Sequence, residues 1–296
     1  MIRLILFVIL STLVSSSARA VYWTRQWIYA DAPCAESQLW FLRSICLPQT
    51  PAEAYINAAS NGRIAIYVNG YNATTDVLAP YKDNDVALHH VTCEATPYIK
   101  DDTCRIAVWY SPFLEGHEGK QLSLYLYGKY YDGSTFMYNA DTLWAWTTAP
   151  ATTTVKPNES ESINACGISA DWNQDGVPYP LLLPVKTMGS SDIVTACQSQ
   201  RIRKIYSCRL IKSSPTSLTF LSPFPFHGWA RVTLRGMRAG TTITVNGLSY
   251  TCNGTMDEQA CRRFTISPYT TSTIKITSPS GIKASNVMNV EAIDIW

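Results

Sequence analysis

Residues 58–112 constrain what this chain can fold into more than any other stretch. Ile64, Ile66 and Val68 alternate with Arg63, Ala65 and Tyr67, the period of a strand with one buried face. Asn69-Gly70 follows at once, the pair that accepts the two positive φ angles of a tight hairpin turn. Ile106, Val108 and Tyr110 repeat the alternation against Arg105, Ala107 and Trp109. The pattern then recurs along the chain. Leu122, Leu124 and Leu126 alternate with Ser123, Tyr125 and Tyr127, and Ala230, Val232 and Leu234 with Arg231, Thr233 and Arg235. Val245-Asn246-Gly247 echoes the first Asn-Gly turn. No long amphipathic helical period interrupts this series, so the sequence predicts an all-β protein.

Residues 1–20 read as a processing signal: Arg3, an apolar run over 4–14, and the small-residue cleavage site Ala18-Arg19-Ala20. The run is short of the about 20 apolar residues a membrane span needs, and no cysteine adjoins the cleavage site. The expectation is an exported protein, periplasmic or extracellular, with no membrane anchor. What remains suits two domains, expected at 21–186 and 187–296 with a hinge near 187–191. The Thr-, Pro-, Ser- and Glu-rich stretch 149–162 reads as an exposed insertion in the first.

The order of motifs in residues 58–112 carries a family likeness. A strand ending in Asn-Gly, then Ala79-Pro80-Tyr81, then His90-Val91-Thr92, Pro97-Tyr98-Ile99 and Ile106-Ala107-Val108-Trp109-Tyr110, resembles one accessory domain. It is the N-terminal, galactose-binding-like β-sandwich of bacterial family-78 α-L-rhamnosidases. Asp141-Thr142-Leu143-Trp144 and Asp171-Trp172-Asn173 match two further segments of that family. The resemblance implies two β-sandwich domains of jelly-roll, galactose-binding-like type, and a glycan context. In the family the catalytic carboxylates lie in a helical barrel. This sequence has no helical pattern to match it, so no catalytic residue carries over.

Lys and Arg (24) nearly balance Asp and Glu (22), which gives no electrostatic footprint for nucleic acid. The sequence lacks a G-x-S-x-G elbow, a Walker loop, a G-x-G-x-x-G fingerprint and an H-E-x-x-H motif. His89 and His90 are neighbours, and neighbours on a strand point to opposite faces, so they cannot chelate together. Glycoside hydrolysis would need two carboxylates across a cleft. Asp132, Asp141, Asp171 and Asp175 are candidates, although carboxylates in turns ordinarily cap and solvate. Asp171-Trp172-Asn173-Gln174-Asp175-Gly176 matches the opening of a calcium loop, with Asp171, Asn173 and Asp175 as the ligands. Leu182 stands where the closing Glu is expected, and an Asx-rich turn is the competing reading. Calcium is the one cofactor the sequence suggests.

For sugar binding, the resemblance and the chemistry single out Asp141, Trp144, Trp146, Asp171, Trp172 and Asn173. Indole faces stack on the C–H faces of pyranose rings, and carboxylate and amide oxygens accept their hydroxyls. Core packing competes for every one of these tryptophans. Nine cysteines in an exported chain suggest disulfides. Sequential neighbours pair as Cys34 with Cys46, Cys93 with Cys104, Cys197 with Cys208 and Cys252 with Cys261, leaving Cys166 over; buried free thiols are the alternative. The favoured reading is a non-catalytic carbohydrate-binding protein whose partners are a plant-type glycan and a glycoside hydrolase. The alternatives are a structural or protein-interaction module of a glycan-degrading system, or a hydrolase with an unrecognised site.

Overall fold

Two Asn-Gly turns set the framework. Asn69 and Gly70 have φ of 48° and 86°, and Asn246 and Gly247 have 41° and 88°, so both turns are built from left-handed pairs that favour these residues. The two asparagines do the same second job. The N–H of Asn69 donates to the Arg105 carbonyl (2.9 Å), and its Oδ1 accepts from the Arg105 N–H (2.8 Å). Asn246 repeats this with Lys275, at 3.3 and 2.9 Å. Each turn is thereby tied to the strand beside its hairpin.

The structure is a computed structural model, and it describes residues 20–23, 26–31, 37–74, 88–112, 119–149, 161–168, 171–174, 182–189, 192–196, 202–264 and 268–296. Three sheets carry the fold. The first runs in the order Ala20–Trp23, Asp192–Ala196, Leu88–Glu94, Glu53–Ser60, Lys120–Lys129, Trp27–Ala30 and Lys186–Met188, with Thr135–Asn139 also on Lys120–Lys129. The second runs Leu183–Pro184, Ala145–Thr148, Leu39–Cys46, Thr103–Pro112, Gly62–Val68 and Tyr71–Asn72. These two face each other over a core of Ile56, Leu122, Leu124 and Leu126 against Phe41, Ile64, Ile66, Ile106 and Val108. All but Ile56 and Phe41 sit at the alternate positions read from the sequence. The third sheet runs Glu161–Asn164, Leu248–Thr251, Thr242–Val245, Tyr269–Thr277, Ser217–Leu234, Val287–Ile295 and Ile202–Ser207, with Arg209–Ser214 and Glu258–Cys261 also on the long strand. It folds over its own core, including Leu218, Val232, Ile243, Ile274 and Ile276. The all-β sandwich expected from the sequence is the fold found.

The expected boundary at 186/187 falls inside the first body. Lys186–Met188 pairs with Trp27–Ala30, and Asp192–Ala196 pairs with two strands of the first sheet. In the other direction, Glu161–Asn164 leaves the first body and runs parallel to Leu248–Thr251 on the third sheet. The chain therefore crosses between bodies three times, after Ala145–Thr148, after Glu161–Asn164 and after Asp192–Ala196, and residues 150–160 of the expected insertion lie outside the described residues.

The expected disulfides do not form among the described residues. Cys93 and Cys104 are both buried and are not bridged to each other. Cys93 stands opposite Ile56 in the first sheet and Cys104 opposite Ile45 in the second, and stacked sheets lie about 10 Å apart, beyond ordinary disulfide reach. Burial pushes the Cys104 thiol up to about 12. Cys252 and Cys261 are free, because they face opposite ways. Ala260 shares the third-sheet core with Cys252, so its neighbour Cys261 points to the other face, against Trp229, Ile293 and Ile295. Cys46 and Cys208 are free, and their expected partners Cys34 and Cys197 lie outside the described residues.

Candidate functional site

The sandwich has two outer faces, and both are aromatic. On the second sheet, Trp40, Trp109 and Ala65 stand side by side across three strands, with Leu42, Ala107 and Tyr67 in the next row. Trp172 lies flat on Trp40, with ring centroids 4.6 Å apart and planes 18° from parallel, and meets Trp109 and Tyr67 edge-on. Phe264, from a turn of the second body, packs on Trp109 at 5.7 Å, and the Arg263 guanidinium lies over the same indole at 4.9 Å. The buried Arg63 reaches across to donate to the Phe264 carbonyl at 2.6 Å. Glu161 holds that turn from below: its buried carboxylate accepts the N–H groups of Arg263 (2.9 Å) and Phe264 (3.2 Å). This face is a seal between the two bodies.

The expected sugar-site residues divide between this seal and the sandwich core. Trp144 and Trp146 are 2% and 4% exposed and point inward between the sheets, with the Trp146 indole N–H donating to the Pro184 carbonyl. Trp172 is 5% exposed in the seal, on the far side of the second sheet. No indole of the set offers an open stacking face. Asp141 is half-buried, caps the Leu143 N–H (2.9 Å) and lies 3.6 Å from Arg43. Asn173 is buried and donates its side-chain amide to the Gly70 carbonyl (3.1 Å), while Asp171 is exposed in a turn. Asp175, the third calcium ligand expected, lies outside the described residues. Among the described residues no group of three or more His, Cys, Asp or Glu side chains converges to hold a metal.

The first sheet's outer face is different. Register places Glu94, Tyr55, Tyr127 and Met137 in one row across four strands, and Thr92, Asn57, Tyr125 and Asn139 in the next. Four strands and two same-face rows cover roughly 14 by 7 Å. The three tyrosines and Asn57 are half-buried, and the other four side chains are exposed. Tyr127 leans on Tyr125 at 5.4 Å and on Tyr55 at 5.8 Å, and the Asn57 amide donates to the Tyr125 hydroxyl at 3.0 Å. Behind Tyr125 lies a small packed cluster of Trp27, Ala59 and Leu88, which braces its ring. Lys129 and Glu53 close one end with an ion pair at 2.8 Å. Burial, then the neighbouring phenols of Tyr125 and Tyr55, hold the Tyr127 hydroxyl above the ordinary phenol range. The face thus presents neutral aromatic rings with hydroxyl and amide groups at their edges, and two carboxylates, Glu94 and, at one end, the ion-paired Glu53.

The alternation of Leu122, Leu124 and Leu126 with Tyr125 and Tyr127 already marked this strand as having a tyrosine-rich second face. Tyr55, Asn57 and Asn139 carried no such signal, since only strand pairing brings them alongside.

No family model matches this sequence, and no curated protein is detectably similar to it. Solved structures do match. The α-L-rhamnosidase of Dictyoglomus thermophilum superposes with a TM-score of 0.73 at 16% identity, over 94% of this chain and 34% of the enzyme's. That of Aspergillus terreus gives 0.74 and 16%, over 92% and 36%. The Streptomyces avermitilis enzyme, solved with L-rhamnose, gives 0.73 and 18%, over 89% and 29%. The fold is that of about a third of a rhamnosidase chain. The resemblance read from residues 58–112 therefore holds for the architecture of nearly the whole chain.

Proposed function

We propose that this protein binds a neutral glycan on the tyrosine face of its first sheet, and that it does so as an exported, non-catalytic module. The observation that carries the reading is the grid of Tyr55, Tyr125 and Tyr127 flanked by Asn57, Asn139 and Thr92. Phenol rings at half-burial give apolar faces for pyranose C–H groups, while amides and hydroxyls at the rim donate to and accept from sugar hydroxyls. Hydrolysis by the usual route needs two carboxylates facing each other across a cleft, whereas here Glu94 lies on an open face and Glu53 is tied to Lys129. A fold shared with part of several rhamnosidases supports the glycan context. A plant-type polysaccharide or oligosaccharide is the ligand class proposed, with a glycoside hydrolase as the partner whose action the binding would localise. The leader over residues 1–20 supports export.

An open face buries little of each sugar, so affinity should be on the order of 0.1–1 mM per short oligosaccharide. Affinity electrophoresis of the full chain through gels containing rhamnose- and galactose-rich plant polysaccharides tests this. Retardation that disappears in Tyr127→Ala, with the thermal unfolding curve kept, is the expected result. Unchanged retardation in Tyr127→Ala and Tyr125→Ala would remove the site, and mobility unaffected by every glycan would remove the function.

A further inference from the structure

The Cys166 thiol lies against the end of the Leu248–Thr251 strand, with its Sγ 3.0 Å from the Cys252 carbonyl oxygen. The sequence paired Cys252 with Cys261 and left Cys166 alone; the fold reverses this. Glu161–Asn164 runs parallel to Leu248–Thr251 with Asn164 opposite Thr251, and the short 3-10 turn at Ala165–Gly167 that follows brings Cys166 against Cys252 just beyond the ladder. A disulfide needs Cα atoms within about 7 Å of each other, and a Sγ of Cys166 at 3.0 Å from the Cys252 backbone fits that span. The two thiols also differ in access. Cys166 is exposed on a short 3-10 turn, whereas Cys252 is fully buried in the third-sheet core.

We propose that Cys166 and Cys252 form a disulfide that staples the crossing segment 161–168 to the second body. The oxidant is a small disulfide such as oxidised glutathione. The exposed Cys166 thiolate attacks one of its sulfurs and expels a glutathione thiolate, giving a mixed disulfide. The Cys252 thiolate then attacks the Cys166 sulfur and expels the second glutathione. In sum, two protein thiols lose two electrons and two protons, and one glutathione disulfide becomes two thiols. Burial raises the Cys252 thiol to about 12, so little of it is thiolate at neutral pH and this resolving step is the slow one, helped by the mixed disulfide being held beside it. The staple matters to the whole molecule because Ile168 packs on both the third-sheet core and the tryptophan seal.

The test is to treat the full chain with oxidised glutathione, alkylate under denaturing conditions and map the peptides without reduction. Cleavage must include Glu258, which lies between Cys252 and Cys261. The expected product joins the Cys166 and Cys252 peptides, vanishes on reduction, and raises the unfolding temperature by several degrees over the reduced chain. Cys166→Ser changes an exposed thiol and should fold. In it, Cys252 should be recovered as a free, alkylated thiol, with no rise in unfolding temperature on oxidation. A Cys252–Cys261 link overturns the proposal. So does recovery of Cys252 as a free thiol in the oxidised wild type, whether or not Cys166 carries glutathione.

Discussion

The two outer faces of one sandwich use aromatic side chains for opposite purposes. On the second sheet, Trp40, Trp109 and Trp172 are covered by a turn of the second body, and their exposure is almost nil. On the first sheet, Tyr55, Tyr125 and Tyr127 remain half-exposed, and their hydroxyls stay within reach of solvent. Residue type follows this division. Indole supplies the larger apolar area, which suits a surface removed from water, and its single N–H is satisfied once, as when Trp109 donates to Gln38 at 2.8 Å. Phenol both donates and accepts, which suits a surface that must exchange water for another hydroxylated partner. An aromatic-rich sequence therefore does not by itself distinguish adhesive from binding surface.

The sharpest way to break this contrast is to truncate at the seal. Trp109→Ala should cost about 3–5 kcal/mol, measured by urea unfolding, because it opens a cavity under Trp172 and Phe264 and takes the indole donor from the Gln38 side-chain oxygen. A Trp109→Ala protein of undiminished stability that had lost glycan binding would instead make the tryptophans the ligand surface.

Glu161→Gln probes the polar part of the same seal. Its carboxylate takes two backbone N–H groups at full burial, and replacing a charged acceptor there should cost about 1.5–3 kcal/mol. Limited proteolysis near residues 262–264 should accelerate in parallel. If stability holds and cleavage does not change, the turn is anchored by its aromatic contacts and the Arg63 hydrogen bond instead.

On the open face, Tyr125→Phe keeps the ring and removes the hydroxyl that accepts from Asn57. Titration calorimetry with a glycan that retards the wild type should show a loss of about 0.5–1.5 kcal/mol, much less than Tyr127→Ala. Equal losses from Phe and Ala at position 125 would mean that hydrogen bonding, not stacking, holds the sugar.

The smallest effect concerns alkaline pH. The Tyr127 phenol is held above its ordinary value by burial and by its neighbours, and burial alone does the same to Tyr110. An acid whose folded pKa is raised keeps its stabilising contribution below the unfolded value, near 10, and loses it as pH climbs toward the folded value. Unfolding midpoints should therefore be flat from pH 7 to about 8.5, begin to fall as the buried thiols of Cys104 and Cys252 lose their contribution, and fall more steeply above about 10 as the phenols follow. Tyr127→Phe should soften the fall slightly while leaving the contribution of Tyr110. A decline already complete by pH 9 would contradict the raised phenols.

Much of the architecture was legible residue by residue. Ile64, Ile66 and Val68, Ile106 and Val108, and Leu122 to Leu126 all face the core predicted from their alternation, and both Asn-Gly pairs make the turns their φ preferences favour. These are local consequences: a period of two fixes which side chains share a face, and a short polar residue with glycine fixes a turn. The motif Asp141-Thr142-Leu143-Trp144 was read for its sugar chemistry, yet Trp144 is core, because nothing in a strand's alternation says which of its two faces is buried. The same blindness put Cys252 with Cys261, nine residues away, when the neighbour in space is the exposed Cys166, eighty-six residues back along the chain.

Sequence by itself determined the strands, their turns and their two-faced character, since these depend on neighbours within a few residues. Only the tertiary structure decided which aromatic face closes and which stays open. That choice rests on where Glu161–Asn164 crosses to the third sheet and on the turn at Arg263 and Phe264 that Glu161 holds over Trp109. Contacts between residues a hundred positions apart depend on how the two bodies dock, and docking is settled by the total area each arrangement removes from water, a quantity no local pattern encodes.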